Sequence, residues 1–293
     1  MTATTTTPQP TTPQTLRKSH ESGGWGSPTA YLVAFGLVGV CLAPVLYIVL
    51  GGFRTNSQII QSPAGLPAPW QIDNYVGVLT GSMFWQQMFN SLVAGIGTTV
   101  GVVVLGLGAS YVIARYPFKA KEAMYSLFAA GLMFPMTVAI TPLYILVRNL
   151  GLTNTLAGII LPQVAFALPV TVIILVPFLR AIPRDIEEAA SIDGASRLGF
   201  FARMVIPLSM PGVVTVGILA FVASWNSYML PLFLLSDDAL YTLPLGVQAF
   251  ASQYSTDTAR VLAFVSLSAI PALIFFSLFQ RRIVGGLTGA VKG

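Results

Sequence analysis

Residues 181–211 read AIPRDIEEAASIDGASRLGFFARMVIPLSMP, and this stretch differs from everything around it. It holds a large share of the chain's few charges, and long apolar runs flank it on both sides. Ionised side chains are unfavourable in hydrocarbon, so a charged segment between two membrane-length runs must lie in water. Residues 181–211, called the charged loop below, are therefore predicted to lie on one side of a membrane.

The pattern within the charged loop predicts two short helices separated by a break. Asp185 suits the N-cap of the first helix, and Glu188 is placed to complete a capping box. Gly194 suits the position that ends this helix. Ser196 can cap the second helix, and Pro207 marks the return to the membrane. The second helix is predicted to have one apolar face, formed by Phe201, Met204, Val205 and Leu208.

The composition of the whole chain agrees with a membrane location. Of its 293 residues, 55% are hydrophobic and only 9% are charged, whereas soluble domains carry about 25% charged residues. The net charge of +5 comes from basic residues scattered at the ends of apolar runs, which is not the clustered pattern of a nucleic-acid-binding surface. The chain is predicted to be a polytopic membrane protein that binds no nucleic acid.

Residues suited to metal binding or catalysis are scarce. The single cysteine, Cys41, lies inside an apolar run, and the single histidine, His20, lies in a polar N-terminal segment. One cysteine allows neither a disulfide within the chain nor a thiolate metal cluster. We therefore predict no metal site, no cofactor and no catalytic residue.

Six uncharged apolar runs follow the N-terminal segment, and each is near or above the ~20 residues that a helix needs to cross hydrocarbon. They lack the alternation of barrel strands, so helices are the expected spanning structure. An all-α membrane protein with six transmembrane helices is predicted. The runs are 30–53, 91–114, 125–147, 155–179, 213–235 and 261–279.

This pattern divides the chain into three parts. Residues 1–28 are rich in Thr, Pro, Gln, Ser and Gly and are predicted to form a disordered tail. Residues 29–280 form the six-span domain, and residues 281–293 form a C-terminal tail. The apolar run after residue 28 is too long for a cleavable signal peptide and lacks a small-residue cleavage site.

The basic residues predict the orientation. Twelve of the 15 lysines and arginines fall in segments on the side of the charged loop, and only Arg54, Arg148 and Arg260 fall on the other. Positive charge accumulates on the cytoplasmic side of membrane proteins. Both termini and the charged loop are therefore predicted to be cytoplasmic, in a multi-pass protein of a bacterial inner or plasma membrane.

The fifth run contains one strongly polar cluster, Ser224 followed by Trp225, Asn226, Ser227 and Tyr228. Hydroxyl and amide groups beside aromatic rings suit a sugar path, because sugar hydroxyls need hydrogen bonds and pyranose faces stack on rings. Interhelical hydrogen bonding would explain each residue singly. The last four residues are predicted as a candidate substrate path, with Asn226 foremost.

The charged loop resembles a known family motif. Glu188-Ala189-Ala190, then three residues, Gly194, nine residues and finally Met204-Val205-Ile206-Pro207 resemble the EAA loop of membrane subunits of binding-protein-dependent ABC importers. The family usually has Ile and Leu at the positions of Met204 and Ile206, and both differences keep an apolar side chain. The resemblance implies that the following residues couple to an ATPase: Glu188, Ala189, Ala190, Asp193, Gly194 and Pro207.

The C-terminal residues 280–293, QRRIVGGLTGAVKG, are similar to the tail of the carbohydrate-specific, maltose-permease-like branch of this family. The segment is one residue shorter than the common pattern. Its glycines and Lys292 do not make a phosphate-binding loop, because Val291 precedes the lysine and no Ser or Thr follows it. Nucleotide binding by this chain is therefore not expected.

The resemblance implies a type I ABC importer permease fold with coupling helices between the fourth and fifth spans. It also implies a function: import of a sugar or oligosaccharide by alternating access, with ATP hydrolysis in separate subunits. The implied partners are a second, similar permease subunit, two cytoplasmic ATPase subunits and an extracytoplasmic sugar-binding protein. The chain itself is expected not to be an enzyme.

Two other classes of membrane protein place different demands on the residues within the spans. A secondary transporter driven by an ion gradient usually has Asp, Glu, His or Arg within its spans, and none of the six runs has such a residue. Some sodium sites use only carbonyls and hydroxyls, so this class remains the alternative. An intramembrane enzyme would need a nucleophile with a base, or metal ligands, at membrane depth. The six runs have no Asp, Glu or His to supply them.

Overall fold

The computed structural model describes residues 28–250 and 256–291, and at 278 and 280–291 it describes the backbone alone. The described residues form helices and their connections, without a β-strand among them, which confirms the all-α class. The α-helices are α1 Pro28–Gly52, α2 Asn56–Gln61, α3 Asp73–Thr80, α4 Ser82–Arg115, α5 Lys121–Gly131, α6 Met136–Asn149, α7 Leu156–Arg180, α8 Arg184–Ile192, α9 Arg197–Phe200, α10 Ile206–Trp225, α11 Met229–Leu234, α12 Leu243–Gly246 and α13 Thr258–Val291.

The chain divides into two compact units, Met1–Val45 and Leu46–Gly293. In the first unit the described residues, 28–45, are helical and belong to α1. Residues 1–27 of the predicted disordered tail, including His20, lie outside the described residues. The last residue of that tail, Pro28, is the first residue of α1. At the other end, the predicted tail from 281 continues α13 as far as Val291.

Within residues 28–250 and 256–291, five helical segments are long and apolar enough to cross a membrane, and a bent pair of helices supplies a sixth candidate. These six segments correspond to the six predicted spans. The five are Pro28–Gly52, Ser82–Arg115, Leu156–Arg180, Arg197–Trp225 and Thr258–Ser277.

The third predicted span, 125–147, is wrong as a single helix. It consists of α5 and α6, whose axes meet at 103°. Pro135 occupies the N-cap of α6 in extended conformation. Proline has no N–H to donate and disfavours helical conformation in the residue before it, so Pro135 ends one helix and starts the next.

The fifth predicted span, 213–235, is also wrong at both ends. The helical segment begins at Arg197 and ends at Trp225. At its end the Asn226 side chain donates to the carbonyl of Val222 at 2.9 Å, and such local side-chain bonds compete with continued helix. The chain then continues as the separate short helix α11.

The predicted capping box of the charged loop is wrong. Pro183 is the N-cap of α8, without a side-chain hydrogen bond, and Asp185 lies in the first turn. Pro183 has extended backbone (ψ 142°), so the helix starts two residues earlier than the Asp185 signal suggests. Asp185 and Glu187 still stabilise the start of α8, because their negative charges are attracted to the positive end of the helix dipole.

The second predicted helix of the charged loop is not separate from the fifth span. Helix α9 passes through a π-helical turn at Phe201–Val205 into α10. The π turn directly precedes Pro207, whose ring would clash with the carbonyl four residues earlier in a regular helix. The turn inserts one residue, so Phe200 and Val205 are buried, while Met204 and Leu208 are exposed. The predicted single apolar face therefore does not form.

The core of the second unit lies where α4 packs against α7 and α10. Glycines on α4 permit this approach: a Cβ at Gly97 would lie 2.9 Å from Ile160 Cδ1, and one at Gly101 would lie 2.7 Å from Val164 Cγ2. Gly97 and Gly101, four residues apart, therefore allow close packing of helices within the chain.

Candidate coupling surface and membrane pocket

The first helix of the charged loop, α8, is fastened to the end of α4 by one arginine. Arg115, whose side chain is only 5% exposed, has its Nε 3.5 Å from Glu187 Oε2. Its Nη1 donates to the carbonyl of Ile182 at 2.8 Å. A charge-assisted bond of this kind is stronger than a neutral one. A long spanning helix and the start of the charged loop are thus connected directly.

Helix α8 has an inward face and an outward face. Ala190 is 7% exposed and packs in one cluster with Phe200 and Val205. Glu188 and Ala189 are exposed. Of the two predicted alanines, therefore, only Ala189 lies on the surface that a partner can reach; Ala190 holds α8 against the rest of the chain.

The turn after α8 brings two large apolar side chains into solvent. Gly194 has φ +78°, a left-handed conformation that glycine adopts without strain. Ser196 then caps α9, its Oγ accepting from Gly199 N–H at 3.1 Å. On either side of this turn Ile192 is 86% exposed and Leu198 is 80% exposed. Large apolar side chains exposed this fully beside charged residues are typical of a protein–protein contact.

The remaining predicted residues of this set, Asp193 and Pro207, are both exposed. Asp193 is exposed at the C-terminal end of α8, and Pro207 is exposed in the first turn of α10. A polar cavity of about 310 Å³ lies beside α8. Its lining residues are Arg115, Arg184, Glu187, Glu188 and Ser191.

Arginine contacts brace the helices around the charged loop. Arg180 lies 3.6 Å from Glu122 and 5.5 Å above the Tyr125 ring. Arg197 lies 5.6 Å above the Tyr116 ring. These cation–π contacts and exposed ion pairs are individually weak. They place several positive charges beside acidic α8, so this surface carries both signs of charge.

A pocket of about 410 Å³ lies at the other end of α10. The indole of Trp225 is buried and stacks on Phe221 at 5.7 Å between ring centroids. Asn226 is exposed at the helix end. Aromatic and apolar groups make up most of the wall, with Asn226 and Ser268 as polar groups. The lining residues are Val222, Trp225, Asn226, Leu243, Pro244, Val247, Phe264, Val265, Ser268, Ala269, Ala272, Leu273 and Phe276.

The residues of the predicted polar cluster of the fifth span lie in different surroundings. Trp225 and Asn226 line the pocket, whereas Ser227 and Tyr228 do not. The Tyr228 hydroxyl accepts instead from Gln248 Nε2 at 3.2 Å. Ser224 donates to Gln163 Oε1 at 2.6 Å, which is the interhelical hydrogen bond that the packing interpretation predicts.

The two predicted sets of residues lie at opposite ends of α10. At 1.5 Å per residue, the 20 residues of this helix separate them by roughly 30 Å. Any functional connection between them must therefore pass along the helices.

Three spans are linked by a glutamine that the sequence reasoning missed. Gln163 on α7 accepts from Thr98 on α4 at 2.8 Å and from Ser224 on α10 at 2.6 Å. A glutamine inside the apolar run 155–179 was the available signal, since polar residues in spans usually bond across helices.

The segment 239–250 packs against α4. Asn90 Nδ2 donates to the carbonyls of Ala239 and Tyr241 at 2.8 and 2.9 Å. Ser91 Oγ accepts from Leu243 N–H at 2.8 Å. Burial raises the pKa of the Tyr241 hydroxyl, and a hydrogen bond with Asp238 raises this pKa further, so the hydroxyl remains protonated. The sequence reasoning missed Asn90 and Ser91 because their partners lie about 150 residues away.

Comparison with known proteins identifies relatives over most of the chain. The family described as "Binding-protein-dependent transport system inner membrane component" matches residues 102–287. The trehalose transport system permease protein SugB of Mycobacterium tuberculosis is 39% identical over 260 residues, which are 88% of this chain and 94% of that one. The diacetylchitobiose uptake system permease protein NgcG of Streptomyces coelicolor is 35% identical over 251 residues, 85% of this chain and 83% of that one.

A solved structure shares the fold. The crystal structure of a bacterial ABC transporter involved in import of the acidic polysaccharide alginate matches with a TM-score of 0.74. The match covers 86% of this chain and 95% of that chain at 21% identity. At this identity the likeness concerns the fold alone.

Proposed function

The chain belongs to the family of binding-protein-dependent transport system inner membrane components, and on that premise we propose that it is the permease subunit of an ABC importer for a sugar or oligosaccharide. The relatives SugB and NgcG are named as permeases for trehalose and for diacetylchitobiose. Substrate would be delivered by an extracytoplasmic binding protein. A second, similar permease subunit would complete the membrane pathway.

The observation that carries this proposal is the outward surface of the charged loop. Exposed Ile192 and Leu198 flank the Gly194 turn, and Glu188 has no ion-pair partner in the described part of the chain. Such a surface suits docking into a groove of a cytoplasmic ATPase subunit, with Glu188 pairing to a basic group there. Two ATPase subunits would serve the two permease subunits.

The proposed mechanism is alternating access driven from this surface. Closure of the ATPase subunits on ATP would push α8, and α4 would receive the movement through the Arg115 contacts with Glu187 and Ile182. Helix α10 would receive it through the continuous connection from α9. Rigid helices then convert a shift at one end into an opening at the other.

The proposed substrate path includes the pocket at Trp225 and Asn226. Sugar rings stack on aromatic faces, and their hydroxyls bond to amides. Both kinds of group line this pocket. The orientation follows from the distribution of basic residues: the charged loop faces the cytoplasm and the pocket lies toward the binding protein.

The experiment that tests coupling is Glu188→Lys in the assembled transporter. We expect uptake of labelled sugar into proteoliposomes to fall at least tenfold, while ATP hydrolysis by the complex no longer responds to the loaded binding protein. Insertion of the chain should be unchanged, because Glu188 is exposed. The matched control is Glu122→Lys, which reverses an exposed acidic residue near the charged loop that pairs with Arg180.

Normal uptake by the Glu188→Lys transporter would contradict the coupling role. Uptake by the wild type that persists without ATP and collapses with the ion gradient would contradict the importer proposal itself, in favour of a secondary transporter.

A further inference from the structure

One buried side chain at the outer end of α4 lacks every hydrogen bond that it could make. Gln87 is 0% exposed, and neither its Nε2 nor its Oε1 has a hydrogen-bond partner in the described part of the chain. A buried amide with donor and acceptor both unpaired is unfavourable, and buried polar groups in proteins are nearly always satisfied. Gln87 therefore needs an explanation other than stability.

The segment 239–250 covers Gln87. Gly246 lies so close that a Cβ added there would overlap Gln87 Oε1 and lie 2.9 Å from Phe264 Cζ. The hydroxyl of Thr242, in the same segment, is also buried without a hydrogen-bond partner among the residues that the structure describes. Gln87 and Thr242 thus bury polar atoms at the same contact without forming hydrogen bonds there.

The same segment separates Gln87 from the pocket. Leu243, Pro244 and Val247 line the 410 Å³ pocket together with Phe264, while Gly246 faces Gln87. If the segment moved away from α4, the pocket would extend to the Gln87 amide.

The segment is attached to α4 by side-chain hydrogen bonds and by two buried leucines, Leu243 and Leu245. Side chains of Asn90 and Ser91 supply the hydrogen bonds between them, to Ala239, Tyr241 and Leu243. Its helix α12 has only four residues. The polar contacts can exchange for contacts with water or substrate, but the two leucines would lose apolar contacts on separation. The separation therefore requires the ATP-driven movement of the proposed transport cycle.

We propose that the Gln87 amide binds hydroxyl groups of the transported carbohydrate when the segment 239–250 moves away from α4. A primary amide offers two donors and an acceptor, which match neighbouring sugar hydroxyls that donate and accept. The Phe264 ring, which lines the neighbouring pocket, adds an aromatic surface for a sugar ring. This inference rests on the proposed function and adds a residue that determines substrate affinity.

The test compares Gln87→Met with the wild type in the assembled transporter. Methionine has nearly the same length and removes only the amide. We expect the melting temperature of the purified complex to stay the same or rise. We expect the KM for uptake of labelled trehalose or diacetylchitobiose, whichever the wild type imports, to rise on the order of tenfold, as loss of hydrogen bonds to a ligand does. The control is Gln61→Met, an exposed glutamine of α2, which should change neither quantity.

A Gln87→Met transporter with wild-type KM would overturn the inference while leaving the proposed function intact. A lower melting temperature with unchanged KM would overturn it as well, since it would show that the amide is satisfied by ordered water and serves structure. If the wild type imports neither sugar, the proposed function is contradicted for these substrates, and the melting temperature of Gln87→Met still decides whether the amide is structural.

Discussion

Arg115 shows how a single residue can connect two functional parts of this chain. Its side chain is almost fully buried at the end of α4, yet it retains contact with one backbone carbonyl and one carboxylate of the charged loop. Its Nε and Nη2 are buried without a hydrogen-bond partner in the described part of the chain, so Nε contacts Glu187 as an ion pair only. A buried cation in this position is sensitive to any change in the loop, because its charge must remain compensated.

We predict that Arg115→Ala lowers the free energy of unfolding by about 1.5–3 kcal/mol, the usual contribution of hydrogen bonds to charged groups. Denaturant titration of the purified chain in detergent micelles, followed by tryptophan fluorescence, measures this. Arg180→Ala is the matched control: its pair with Glu122 is exposed and should contribute at most about 1 kcal/mol. Equal losses in the two variants would show that Arg115 does not fasten the loop.

At the scale of elements, the charged loop is a helix, a left-handed turn and a second helix that continues into the membrane. Gly194 makes the turn possible, and the π turn at Phe201–Val205 accommodates Pro207. The turn places Ile192 and Leu198 on either side of it, both exposed. The shape of the proposed docking surface therefore depends on one backbone conformation.

We predict that Gly194→Val costs about 1–2 kcal/mol, the penalty for an L-residue in left-handed conformation, and that it reduces ATP-driven uptake. The space around Gly194 is open, with no atom within 4 Å of an added Cβ, so the effect is one of backbone conformation and not of crowding. Gly194→Asn should retain uptake, because asparagine tolerates this conformation. Loss of uptake in both variants, measured in proteoliposomes, would argue that any side chain blocks the docking surface.

At the scale of the molecule, α4 organises the second unit. It packs along α7 and α10 and is linked to both by the hydrogen bonds of Gln163. It contacts the charged loop at one end and the segment 239–250 at the other. A shift of α4 would therefore displace residues at the proposed coupling surface and at the proposed substrate path together.

We predict that Gly101→Leu prevents close packing of α4 on α7 and lowers the yield of monodisperse protein in detergent. A Cβ at Gly101 would already lie 2.7 Å from Val164 Cγ2, and overpacking of this kind typically costs about 1–3 kcal/mol. Gly108→Leu is the control on the same helix, since nothing lies within 4 Å of its added Cβ. Size-exclusion chromatography and the melting temperature measure both; similar behaviour of the two variants would mean that the α4–α7 contact tolerates expansion.

The sequence by itself determined the all-α membrane class, the six apolar segments, the charged loop with its Gly194 turn and Ser196 cap, and the family. These features are local: hydrocarbon excludes charge, and helix ends require particular residues nearby. It misplaced the Asp185 cap and the limits of the third and fifth spans, because proline, π turns and side-chain bonds change helices within apolar runs whose composition does not vary.

Only the tertiary structure decided which residues meet. Ala190 faces inward, Arg115 reaches Ile182 across 67 positions, and Asn90 reaches Tyr241 across 151. Gln87 lies under Gly246. Such contacts depend on the rotation and depth of each helix against its neighbours, and these are set by packing among distant segments; an apolar run has the same composition whichever side it turns to its neighbours.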